Sequence, residues 1–293
     1  MRIRKKPDEI VFDVCNHLFL LFWAAIALYP LLYVLFGSLS DAGRLASHRG
    51  LLFYPLGVDF SAYKAVMSNP LILSGYRNTL FVVIGGTALN LLMTALAAFF
   101  LSRKDVMWKN AVMIMLTITM YFGGGLIPSY IVVTSLGMRN SLLALIVPSA
   151  VNAFNVIVMR TSFQSIPDSM EEAALLDGAT QLDLLFRVIL PLSKAILAVM
   201  ALWYGVGHWN SWFSAAIYLS KRELWPIQLL VREILIARQT QAMTTDAAYG
   251  SEMQVAETIK YATIIIATVP ILCVYPFLQK HFVKGVMIGS LKG

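Results

Sequence analysis

The sequence predicts an all-α integral membrane protein with six transmembrane helices in one domain, 1–293. Composition is the first reason: 58% of the residues are hydrophobic and only 13% are charged, against roughly a quarter charged in soluble domains. The second is that apolar residues gather in runs near the ~20 residues a helix needs to cross the hydrocarbon. The third is a modest excess of basic residues near the cytoplasmic ends of the runs, the comparable outside set lying in longer loops where charge matters less to orientation. The formal charge of +7 therefore reads as an orientation signal and not as a nucleic-acid footprint. Cys15 and Cys273 both lie in apolar stretches. They imply no disulfide framework.

Arg2, Arg4, Lys5 and Lys6 precede an apolar run from Val11 to Phe36. That run exceeds the core of a signal peptide and lacks a good cleavage site. It predicts an uncleaved first span, about 14–36, starting in the cytoplasm. Residues 37–77 are polar and mixed, with Asp41, Arg44, His48, Arg49, Asp59 and Lys64, and predict an outside loop. Span two is about 79–101, and Arg103, Lys104 and Lys109 mark a cytoplasmic turn. Span three, about 110–133, is interrupted by Gly123-Gly124-Gly125 and Pro128. Broken backbone at membrane depth survives only against protein or a water-filled cavity. The triplet is either a path or gate feature, or the point where a span ends at Phe122 and the chain re-enters. Span four is about 141–159, span five about 195–219 and span six about 258–279, with residues 220–257 a second outside segment. Both termini then lie in the cytoplasm.

The segment between spans four and five, 160–194, is a long polar interruption in the second half of the chain. Pro167 suits a first helical turn, and Asp168, Glu171 and Glu172 favour a helix N-terminus. Gly178 suits a left-handed C-cap. Thr180 and Asp183 resemble a capping box with Asp in place of Glu. The second helix carries Leu182, Leu185, Phe186 and Ile189 at helical spacing, and Pro191 stops or kinks it. The segment predicts helix, Gly break, helix, with one apolar face.

The pattern Glu172-Ala173-Ala174, Asp177-Gly178-Ala179, then Phe186, Ile189 and Leu190-Pro191-Leu192 resembles the EAA loop of ABC importer permeases. The likeness extends through the six spans to the C-terminus. One departure is Ala195, where that family often has Pro. The resemblance implies a non-catalytic subunit of a bacterial inner membrane importer. It would pair with a homologous permease, sit on two ATPase subunits that bind the ATP and Mg, and accept sugar from an extracytoplasmic sugar-binding protein. It also implies that Glu171, Glu172, Ala173, Ala174, Asp177 and Gly178 couple to the ATPase. The tail Phe282-Val283-Lys284-Gly285 with Lys292-Gly293 is similar to maltose-type members, which brings in Lys284 and Lys292. The stretch Tyr121–Tyr130, YFGGGLIPSY, is similar to the subgroup for complex or polysaccharide-derived sugars, and the family likeness as a whole, with no residue that reads a uronate, implies the second permease subunit of an alginate-oligosaccharide importer.

The residues themselves exclude other chemistries. No Gly-x-x-x-x-Gly-Lys-Ser/Thr loop is present, so the chain is not expected to hydrolyse ATP itself, and the resemblance implies that separate ATPase subunits do so. The four histidines are scattered without metal-ligand spacing, and no serine nucleophile elbow occurs. Polar side chains inside spans are costly and often functional. Asn152 and Asn155, three apart on one face of span four, and Tyr204, His208 and Asn210 in span five could line a sugar path, together with Tyr121. The same groups could instead bond helix to helix. The alternative to an importer subunit is a stand-alone secondary transporter. That would favour buried carboxylates, yet no Asp or Glu lies mid-span.

Overall fold

The computed structural model describes residues 7–244 and 257–273. Among these residues the secondary structure is helical, apart from one isolated bridge between Ser40 and Val58. Two compact units can be distinguished: Met1–Asn69 with Glu233–Thr268, and Pro70–Arg232 with Val269–Gly293.

In the first unit, α1 (Pro7–Ser38) is followed by two short helices, α2 (Ala42–Ser47) and α3 (Ser61–Met67). Most of the apolar side chains of α1 as far as Leu31 are exposed. That is the arrangement expected of a span whose solvent is lipid. Its C-terminal end is the packed part. There Tyr33 and Tyr261 meet edge to face with centroids 6.0 Å apart, and Ser38 and Tyr63 share a 2.6 Å hydroxyl contact. The polar stretch after α1 is ordered by short-range capping, as where Asp41 accepts the Arg44 amide at 3.0 Å.

The second unit is organised around α4 (Pro70–Ser102). It starts nine residues before the expected span two, because Pro70 suits a helix start and nothing from Leu71 to Asn78 breaks it. The helix packs on α12 (Lys194–Asn210) and α8 (Ala153–Phe163). One core joins Ala95, Ala98 and Phe99 of α4 to Met159, Phe163, Leu184, Leu185, Ile189, Met200 and Tyr204.

Among the described residues, α1 and α4 are the single helices long and apolar enough to cross a membrane; the number rises to five if each bent helix pair is one span. Expected span three is α5 (Lys109–Tyr121) and α6 (Leu126–Ser135), bent by 116° at the glycine triplet. Expected span four consists of α7 (Leu143–Ile146), a 3-10 turn at Val147–Ser149, and α8. The two parts bend by 53°, and α8 continues to Phe163. Expected span five is not one helix. α12 ends at Asn210, and α13 (Phe213–Tyr218) follows after Ser211-Trp212. Expected span six is helical over 257–273, and its residues 274–279 lie outside the described residues. A 3-10 turn at Arg222–Leu224 and α14 (Ile227–Thr244) occupy much of the second expected outside segment.

Candidate functional site

The segment after α8 folds into α9 (Asp168–Leu176), α10 (Gln181–Asp183), a π-helical turn at Leu184–Ile189 and α11 (Leu190–Leu192). Pro167 is the N-cap residue, with φ −58° and ψ 135°, and not the first helical residue. Asp168 and Glu171 occupy the first turn, where the helix dipole favours negative charge. Gly178 has φ +82°. Its N–H donates to the Leu175 carbonyl and the Ala179 N–H to the Ala174 carbonyl, both at 3.0 Å. This is the paired pattern of a Schellman stop, which needs a residue tolerant of the left-handed region. Thr180 and Asp183 form the expected capping box. The Thr180 hydroxyl and amide hold the Asp183 carboxyl below its ordinary pKa.

The expected apolar face is partly corrected. Leu185 and Ile189 are buried, but Leu182 and Phe186 are exposed, and Leu184 is buried instead. The wide turn at Leu184–Ile189 rotates the helix away from the 3.6-residue period on which the expectation rested. Pro191 marks the turn between Gln181–Leu192 and Lys194–Asn210, which are bent by 85°.

The two faces of α9 differ. Glu171 and Ala174 are half-buried, with Ala174 against the core. Glu172, Ala173, Leu176, Asp177 and Gly178 are exposed, Leu176 by 89%. The inner face is tied to the end of α4. Arg103 pairs with Glu171. Its Nε and Nη2 also donate to Ser102 Oγ at 3.2 and 3.0 Å, and its guanidinium lies 4.7 Å above the Phe99 ring. Lys104 pairs with Asp168 at 2.5 Å in the open. That hydrogen bond, then the Asp168 charge, raises the ammonium above its ordinary pKa. Lys109 donates to the Arg103 and Lys104 carbonyls at 2.9 and 3.1 Å, and Arg160 Nε to the Leu101 carbonyl at 2.9 Å. Four cations thus gather at the C-terminal end of α4, where the last helical carbonyls and the helix dipole both favour positive charge. Sequence reading treats Arg103 and Lys104 only as orientation marks. A pairing across more than sixty residues leaves no periodic trace. Lys284 and Lys292 lie outside the described residues.

The polar residues expected to line a path are dispersed. Asn152 and Asn155 do not share a helix face. Asn152 is the exposed N-cap of α8 and accepts the amide of buried Asn155 at 3.1 Å. Tyr204 is buried, with its hydroxyl 2.6 Å from Thr94 Oγ1. His208 is buried with Nε2 2.6 Å from Asn90 Oδ1, while Asn90 Nδ2 donates to the Ser149 carbonyl at 2.5 Å. Asn210 is exposed, as is Tyr121 at the end of α5.

Sequence reading passed over the α4 partners of this network. Gly86, Asn90 and Thr94 recur every four residues, and Ala98 and Ser102 continue the line. That spacing puts a small and polar stripe on one face of an apolar helix. The stripe lets α12 approach closely. A Cβ on Gly86 would lie 2.5 Å from His208 Nε2. Towards the start of α4, Asn78 donates to the Glu223 carbonyl at 2.7 Å, and Thr79 Oγ1 accepts the Ile227 amide at 2.9 Å.

Residues 91–288 match the model of a family described as "Binding-protein-dependent transport system inner membrane component". Protein LplC of Bacillus subtilis strain 168 is 41% identical over 283 residues, covering 97% of this chain and 95% of the relative. The polygalacturonan/rhamnogalacturonan transport system permease protein YtcP of the same organism is 39% identical over 284 residues, covering 97% and 99%. Among solved structures, a chain of a bacterial ABC transporter involved in the import of the acidic polysaccharide alginate superposes with a TM-score of 0.85. It is 30% identical and covers 96% of this chain and 99% of that one.

Proposed function

Since the chain belongs to the family of binding-protein-dependent transport system inner membrane components, we propose that it is a permease subunit of an ABC importer for oligosaccharides from acidic polysaccharides. The cargo class follows the alginate and polygalacturonan/rhamnogalacturonan systems it resembles. The six spans are α1, α4, the bent pairs α5–α6 and α7–α8, α12, and the helix at 257–273. Both termini lie in the cytoplasm. The chain pairs with a homologous permease on two ATPase subunits, receives sugar from an extracytoplasmic binding protein and alternates between outward and inward access. ATP hydrolysis belongs to the partner ATPases.

The observation that carries this reading is the free face of α9. A short helix with an exposed acid, Glu172, and exposed Ala173 and Leu176 is closed by the Gly178 stop. That is a protruding surface suited to a cleft in an ATPase. Asp177 and Gly178 complete it, and Lys284 and Lys292 add a second contact. On the sugar side, Asn210, Asn152 and Tyr121 are exposed and are available to a path shared with the partner permease. Tyr204, His208 and Asn155 set the positions of the helices behind that path.

The test is expression with the partner permease, ATPases and binding protein, followed by purification and reconstitution into proteoliposomes. The chain should co-purify with an ATPase, and hydrolysis should rise with the loaded binding protein. Oligomannuronate should be taken up in preference to a neutral oligosaccharide of equal length. Sugar uptake by the chain without any ATPase would return the secondary-transporter alternative.

A further inference from the structure

Of the two adjacent acids at the start of α9, the structure turns one outward and one inward. Glu172 is exposed. The Glu171 side chain is only 20% exposed, and Arg103, its partner, is 13% exposed. Glu171 therefore presents its carboxylate to this chain's own α4 and away from the free face.

Arg103 is itself immobilised. Beyond Glu171, its guanidinium donates twice to Ser102 Oγ and lies against the Phe99 ring. A planar guanidinium that hydrogen-bonds on its edge and stacks on its face has little freedom left. On the same side Ala174 packs onto the core shared by α4, α8 and α12. The neighbouring pair, Lys104 with Asp168, is different. Its side chains are 74% and 60% exposed, so water and salt weaken it. α9 also packs on the turn at Leu184–Ile189, and the half-buried pair is the firmer of its two ionic ties to the end of α4.

From Arg103 the chain runs back without interruption through α4 to Thr94 and Asn90, which bond Tyr204 and His208 of α12. The thirteen residues from Arg103 to Asn90 span about 20 Å at 1.5 Å per residue. We infer that Arg103 is a positioning residue for transport: by gripping Glu171 it makes α9 and α4 turn as one body, so a displacement of α9 reaches the α4–α12 contact. This rests on the proposal that α9 faces the ATPase. Glu171 then acts inside the permease, and Glu172 is the acid left for the partner.

Charge exchange in the full reconstituted complex tests the joint. Arg103→Glu and Glu171→Arg should each lower sugar uptake per ATP hydrolysed by about tenfold, the factor corresponding to 1.4 kcal/mol. Complex assembly should persist. The double variant should recover most of that coupling ratio, which neither a folding defect nor a lost ATPase contact would do. Spin labels at Phe100 and Met170 give a second readout. Their distance should stay constant through the ATP cycle in the otherwise native complex and broaden in Arg103→Gln. No recovery in the double variant, or a Phe100–Met170 distance that changes with nucleotide, overturns the inference. Absence of ATP-driven uptake in the unmodified complex would instead reject the importer assignment, and the label distance can be read independently of it.

Discussion

Adding one methyl group at Gly86 tests the packing that holds α4 to α12. In Gly86→Ala the new carbon would lie 2.5 Å from His208 Nε2, 2.8 Å from Cε1 and 2.9 Å from Cδ2. Carbon contacts favour 3.5–4.0 Å, so the ring has to retreat by about 1 Å. It cannot do so freely, because it is buried and Nε2 is held 2.6 Å from Asn90 Oδ1. Overpacking of this kind costs about 1–3 kcal/mol. Losing the hydrogen bond adds about 0.6 kcal/mol, the mean measured between membrane helices. The expected loss is then roughly 2–4 kcal/mol. The assay is SDS-induced unfolding of the purified chain in mixed micelles, run as a cycle with His208→Ala. Removing the ring makes room for the methyl, so Gly86→Ala should cost little in that background. A coupling of roughly 1.5 kcal/mol or more is expected, well above the ~0.5 kcal/mol scatter of independent sites. Additive costs would refute the contact.

Three further outcomes follow from the same geometry. Gly178→Val should lower transport and substrate-stimulated ATPase by about tenfold while membrane insertion persists. Nothing within 4 Å obstructs a side chain there, so the effect comes from φ +82° alone, a conformation costing a β-branched residue roughly 1–2 kcal/mol; Gly178→Asn should retain more activity, and full activity in the valine variant would reject the Schellman stop as a coupling element. The Asp183 carboxyl is held below its ordinary pKa by Thr180, so its capping contribution is present above about pH 4 and is lost as pH falls through the lowered value; carbon-detected titration should show Thr180→Ala moving that carboxyl back up, and an unchanged titration would contradict the capping box. Uptake of an acidic oligosaccharide should fall between low and high salt, because Arg44, Arg49 and Lys64 are charges in the segment between α1 and α4, expected to lie outside, and the screening length is about 8 Å at physiological salt; equal uptake of acidic and neutral sugars at all salt concentrations would remove the electrostatic argument.

The features legible in the sequence are those that a few neighbouring residues determine. The helical class and the membrane environment follow from composition and run length, since twenty apolar residues cannot be left in water. The stop at Gly178, the Thr180–Asp183 cap and the break at Gly123–Gly125 are local. Each depends on backbone conformation or hydrogen bonds within a few positions, and each appears where the residues place it. The family likeness rests on the same short spacing.

Tertiary structure decided what depends on partners distant in the chain. Arg103 and Glu171 are sixty-eight positions apart, and only the fold that brings the first turns of α9 beside the end of α4 gives that arginine a task other than marking an end. Asn90 and His208 are 118 positions apart. In sequence His208 could serve a sugar or a neighbouring helix, and the approach permitted by Gly86 gives it to Asn90. The π-helical turn exchanges Leu184 for Leu182 and Phe186 in the buried face, because packing against Phe163 and Met159 outweighs the regular helical period. Side chains with two plausible partners are assigned by proximity in space, and proximity across scores of residues is a property of the packed chain.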